Sequence, residues 1–271
     1  PYRDWVIRAF NDNLRFDRFI EHQVAGDLYK DATLDQQIAS GFNRLHLVID
    51  KGTALPAESF ARNVIDRVTA FGTAFLGLTL QCAVCHDHKY DPITQRDFYR
   101  LYAFFNNIDA GPETPGSGIH APFVRVPTAA QAAELEKVQT ANVKLDAAGA
   151  ALQETLADLG DAGRDNGAIS AAVTAVKAAL AAVQSAGMKN REQIAALQKQ
   201  VTTTLVMRER SEIRPTHILI RGAYDQPGEQ VFRGTPAFLP ELRKSAETPT
   251  RLDLAQWLTD GDNPLTARVA V

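Results

Sequence analysis

The chain's 271 residues include two cysteines, which stand together in Gln81-Cys82-Ala83-Val84-Cys85-His86. Two thiols with two residues between them, and an imidazole immediately after, have the spacing that attaches a c-type haem. Each sulfur would add to one haem vinyl group, and the adjacent imidazole would fall onto one face of the iron. Cys82 and Cys85 are thus the candidate thioether anchors, and His86 the candidate proximal iron ligand. Other chemistries use the same residue types. A structural zinc site would take both thiolates and two of His46, His86 and His88. A Cys-x-x-Cys pair can also cycle as a dithiol. The plainest alternative is two buried free thiols that only pack.

Chain reach narrows the choice of a second axial ligand. The two axial nitrogens of a haem lie roughly 4 Å apart on opposite faces, taking metal–nitrogen distances near 2 Å. A chain joining them must pass around the ring edge, and two residues span at most about 7 Å. His88 is therefore too close to His86 to reach the far face. It is left as an alternative metal ligand with Asp87 or Asp91, a propionate contact or a turn residue. His46 lies far enough upstream and is the favoured distal ligand. His22, His120 and His217 have less support, and Met188 and Met207 read as seam residues of a helical spacer. Arg221-Gly222 with Asp225 and Glu229 is a weaker candidate for an anion or sugar site, since a strand end and a turn explain it as well. Phosphate loops, Ser-His-Asp patterns and paired catalytic carboxylates do not stand out.

Three regions must position these residues. The first, about 1–128, reads as a helical domain carrying the Cys motif. Helical spacing runs from Asp4 to Phe19, from Thr33 to Phe42, and from Glu58 to Leu80, straight into the motif. Asp91-Pro92-Ile93-Thr94 reads as a turn and a cap, with Asp97 three residues beyond Thr94. The helix that follows carries Phe98, Tyr99, Tyr102, Phe104 and Phe105, which would wall a haem or form core. Gly111 to Gly118 reads as a loop. The second region, about 129–212, is Ala-rich and without aromatics, with a stripe broken from Gly160 to Gly167. It predicts an antiparallel, coiled-coil-like helical hairpin. The third, about 213–271, reads as the start of a small mixed second domain. It has a short strand near His217 to Arg221, a turn at Asp225 to Glu229, and a helix capped by Thr250. The expected fold is mainly α.

With 45% hydrophobic and 23% charged residues, the composition is that of an ordinary globular protein. A net charge of −3 gives no basic face, so a nucleic-acid partner is not expected. Ala70 to Leu80, the longest apolar-rich stretch, falls short of the roughly 20 residues of a membrane span. Pro1 is not a translation start, and the last residues open a helix and stop. The chain therefore reads as an internal fragment whose first and last domains are cut.

Several segments resemble a secreted family known mainly from planctomycetes. Its members are cytochrome c-domain-containing proteins with two adjacent domains of unknown function. The resemblance runs through Tyr2 to Ile7, Phe16 to Ile20, Ala25 to Leu28, Gly77 to Thr79 and Cys82 to Phe105. It resumes at Leu219 to Gly222, Pro227 to Glu229 and Asn263 to Arg268. It departs at Arg44-Leu45-His46, where the family often shows Arg-Asn-His, so that His46 matches and Leu45 does not. The resemblance implies an extracytoplasmic protein containing the end of one domain, a spacer, and the start of the next. It supports covalent haem c as cofactor, with zinc as the alternative. The expected work is electron transfer or redox support, with an unknown redox partner or attached domains of the same chain. A metal-stabilised interaction module, or part of an enzyme on extracellular polymers, is the other class.

Overall fold

The computed structural model describes residues 1–46, 55–110, 120–161 and 167–270. The fold is mainly helical, as expected, with two small antiparallel sheets. Helix α1 (Tyr2–Asn11) buries Trp5 and Ala9, and α2 (Phe16–Ala25) buries Ile20 and Val24. These are two helices where one was expected. Asn13 breaks the run with a φ of 52°, a left-handed conformation that Asn tolerates better than most residues. The chain folds back, and the rings of Trp5 and Phe19 stack at 5.3 Å.

Helix α3 (Leu34–Ala39) opens on a Thr33/Gln36 capping box and runs into a 3-10 turn, Ser40–Arg44. Helix α4 (Pro56–Phe71) buries Val64, Val68 and Phe71. It does not run straight into the Cys motif. Gly72–Leu76 is wound as a π turn, and Gly77, at φ 64°, ends it in the left-handed region. The Leu78 amide donates to Gly72 O at 3.0 Å, closing the end. A separate 3-10 turn, Leu80–Val84, then carries the first cysteine. Helix α5 (Gln95–Phe105) starts at the expected Thr94/Asp97 capping box. Its Phe98, Tyr99, Leu101, Phe104 and Phe105 are fully buried with Phe71 and Leu80, so this aromatic stripe is core.

Strands β1 (Phe123–Val126) and β2 (Thr202–Leu205) form one sheet. Between them lie α6 (Ala129–Asp161) and α7 (Gly167–Gln200). Strands β3 (Thr216–Leu219) and β4 (Pro227–Val231) form the other sheet, with Thr216 opposite Val231 and an irregularity between His217 and Leu219. Three of the five residues of the expected Asp225–Glu229 turn are therefore strand. Helix α8 (Arg251–Thr259) starts at the expected Thr250 cap, and α9 (Thr266–Ala270) follows. The expected Gly111–Gly118 loop, and the centre of the Gly160–Gly167 break, lie outside the described residues.

The chain forms two units, one of residues 1–124 with 203–271, the other 125–202. The stretch expected to open a second domain at 213 thus packs in the same unit as the Cys motif, where α8 lies against α2. The second unit is the hairpin. Its helices are held by Arg191 to Asp146 at 2.6 Å and by Gln193 Nε2 donating to Glu134 Oε1 at 3.4 Å. Helix α7 holds an 18-residue window of mean hydropathy 1.4, enough by length and composition to cross a membrane. By length and composition alone this is weak evidence of a span, since Ala and Val raise hydropathy without forming an obvious greasy run. In the structure this helix pairs with α6, which carries Glu134, Lys137, Lys144, Asp146, Glu154 and Asp158.

Candidate functional site

The Cys turn is anchored from below and open above. Leu80 and Ala83 are fully buried, and Val84 nearly so, whereas Cys82, Cys85 and His86 are exposed. The Val84 carbonyl, which precedes Cys85, accepts from the Tyr99 hydroxyl at 3.0 Å and from Gln95 Nε2 at 2.9 Å. Two donors on one oxygen fix the peptide that leads into the second cysteine. Gln95 Nε2 also donates to Leu219 O at 3.2 Å, which ties the end of β3 to the turn. Burial raises the Tyr99 hydroxyl pKa, and the nearby Tyr102 hydroxyl and Cys85 thiol add to this. Tyr99 therefore stays a neutral donor.

Two imidazoles follow, with opposite tautomers. His86 Nδ1 lies 2.7 Å from Asp87 O. A carbonyl oxygen only accepts, so Nδ1 carries the proton and Nε2 keeps its lone pair. This is the arrangement of a metal-ligating histidine, whose second nitrogen donates to a backbone carbonyl or carboxylate. His88 Nδ1 instead accepts from the amides of Asp91 at 2.9 Å and Tyr90 at 3.4 Å. The Asp91 carboxylate lies 3.2 Å from the same nitrogen and would need a proton there. The nearer Asp91 amide is an obligate donor and decides the matter, so Nε2 bears the proton. Asp87 Oδ1 accepts from the Gln95 amide at 2.7 Å at the start of α5. Asp87, His88 and Asp91 thus shape the turn that fastens the motif to α5.

A residue far along the chain completes the site. Arg221 and Gly222 both sit in the left-handed region, at φ 53° and 73°. A Cβ on Gly222 would fall 2.8 Å from Cys85 Sγ and 3.0 Å from Val84 Cγ1. Only glycine allows this approach. Glu229, expected beside Arg221, is hydrogen-bonded to Arg96 instead, while Arg221 and Asp225 are exposed. The roles of Gln95, Tyr99 and Gly222 escape the sequence reading. In the sequence Gly222 stands out only in the resembling segment Leu219–Gly222 and in the weaker anion-site candidate Arg221-Gly222, neither of which points to Cys85.

The other candidates are dispersed. His46 is half-buried and follows the Ser40–Arg44 turn, which packs on α2 and α3; the Cys turn packs on α4 and α5. His22 is half-buried with its ring edge-on to Tyr29 at 5.6 Å. His217 lies in β3, and His120 precedes β1. Neither methionine is a seam residue. Met188 is exposed on α7, and Met207 is buried outside the hairpin, its amide on Ser40 Oγ. Among the described residues no three His, Cys, Asp or Glu side chains converge so as to hold a metal ion, which leaves the zinc arrangement without support. The residues do fit a c-type haem in two respects: both sulfurs are accessible, and His86 presents an open Nε2.

A family model described as PSCyt2, a protein of unknown function (DUF1549), matches residues 1–110. This range holds the whole Cys turn and α5, so the first part of the resemblance is supported; nothing bears on the second domain. No curated protein and no solved structure matches the chain.

Proposed function

We propose that this chain carries a covalently attached c-type haem outside the cytoplasm and serves in electron transfer or redox support of the larger protein. Cys82 and Cys85 would hold the haem and His86 would ligate its iron. When bound, the haem supplies one-electron chemistry at a potential set by its ligands and surroundings. The observation that carries the reading is the contact of His86 Nδ1 with Asp87 O at 2.7 Å: the motif has the haem spacing, and a neutral ring that donates there leaves the Nε2 lone pair open. Val84 O, held by Tyr99 and Gln95, keeps the two thiols and the imidazole on one rigid turn. His46 would be a second ligand to the iron, supported by chain reach alone. The extracytoplasmic location follows from the resemblance and the haem motif.

The test is expression with haem-maturation machinery. The protein should keep its haem in a denaturing gel and give a c-type pyridine haemochrome band. Cys82→Ala with Cys85→Ala should abolish both. A colourless protein holding one tightly bound zinc ion would overturn the reading.

A further inference from the structure

At the other end of α5 from the Cys turn, a cavity of about 590 Å³ opens beside Ala103, the start of β3 and the end of β4. Small-molecule sites occupy roughly 300–1,000 Å³ and combine apolar walls with a few placed polar groups. Here Ile213, Val231, Phe232 and Pro249 form apolar wall, and Arg214 and Lys244 bring positive charge. Phe232 is 76% exposed and Ile213 51% exposed, although both line the recess. Apolar surface held open in a concave site is surface that a ligand would cover.

The cations differ in how they are used. Arg233 lines the same cavity but is engaged by Glu209 at 3.1 Å, Pro249 O at 3.0 Å and Ala103 O at 3.2 Å. Arg214 lies over the Phe60 ring at 4.1 Å, and its buried Nε has no hydrogen-bond partner. Among the described residues no carboxylate forms an ion pair with it. Burial lowers its pKa, and the neighbouring Arg210 adds to the unfavourable positive field. A half-buried guanidinium without an acid partner would gain from an anion, because a carboxylate would recover the lost electrostatic stabilisation and offer oxygens to its exposed N–H groups. Among the described residues Glu247 is the one acid on the wall, and it is exposed.

We infer that this cavity binds a small amphipathic carboxylate, with its carboxylate on Arg214 and its apolar body against Phe232 and Ile213. The site is independent of the haem reading and needs no metal or cofactor.

Isothermal titration calorimetry with 4-phenylbutyrate and decanoate tests it. The full chain should bind at least one of them saturably at a single site. Arg214→Gln should weaken binding at least tenfold, and 4-phenylbutanamide should bind the unmodified chain as weakly as the carboxylate binds that variant. Phe232→Ser, at an exposed position that leaves the fold intact, should weaken carboxylate and amide alike. No saturable binding of either carboxylate overturns the inference, as does equal affinity for carboxylate and amide. Should Arg214→Gln fail to fold, unchanged affinity in Phe232→Ser overturns it.

Discussion

His86 and His88 are separated by one residue yet hold their protons on opposite nitrogens, and this decides which of them is available to a metal. The spacing of Cys82, Cys85 and His86 is legible in the sequence because the chemistry is local. The tautomers are not, because they depend on which backbone groups the turn brings near each ring. Gly222 is invisible for a related reason: its neighbour, Cys85, is far away along the chain. Gly222→Ala should cost about 1 kcal/mol from its positive φ alone. The new Cβ should also displace Cys85 Sγ, so the rate of Cys85 alkylation relative to Cys82, read by mass spectrometry, should change severalfold; an unchanged ratio contradicts the contact. At the far face of the proposed haem, His46→Ala should convert a low-spin ferric spectrum to high-spin, whereas His88→Ala should leave it alone. A low-spin spectrum that survives His46→Ala removes His46 as ligand and turns attention to His22, His120 or His217.

At the scale of elements, start signals were more legible than stops. The Thr94/Asp97 capping box and the Thr250 cap are readable from residue type and spacing and form as expected, and at Thr250 the side chain of Asp253 completes a capping box as well. Thr250→Ala should cost about 1 kcal/mol in denaturant unfolding, the usual loss of a cap. The breaks at Asn13 and Gly77 are hidden in the sequence because apolar periodicity continues across them, and β4 reads partly as a turn because Pro-Gly opens it. The hairpin is legible from composition, since a long Ala-rich helical stripe without aromatics, broken once in the middle, suits antiparallel helix pairing. Its two helices meet where Gln193 reaches Glu134, so a short linker can close the chain there. Replacing residues 136–191 with a short Gly-Ser turn should leave the melting temperature of the rest within a few degrees; loss of folded protein would show that the core needs the hairpin.

Across the whole molecule, buried charge joins segments that are remote in sequence. Arg251 is fully buried and pairs with Asp27 at 2.6 Å and Glu209 at 3.0 Å, and Glu209 also meets Arg233 at 3.1 Å. Nothing in the sequence marks these four as partners, because charged residues usually read as surface. Burial pushes the Glu209 carboxyl up, but Arg251 and Arg233 more than offset this and hold its pKa below the ordinary 4.5. Its folded pKa lies below the unfolded one, so the stabilisation is present above about pH 4.5 and lost as pH falls through the folded value. Arg251→Ala should cost about 3–5 kcal/mol, because it leaves buried carboxylates without their cation. The variant should also lose part of the steep acid limb in a plot of unfolding free energy against pH, and an acid limb that keeps its full slope would contradict this origin.

The central claim is that Cys82, Cys85 and His86 form a haem attachment site. Intact mass spectrometry under denaturing conditions, on protein made with haem-maturation machinery, tests it most directly. The account predicts a mass increased by one haem, borne by the peptide that contains Cys82 and Cys85, with no such increase when both are Ala. An unmodified mass with both thiols free to alkylate would contradict it.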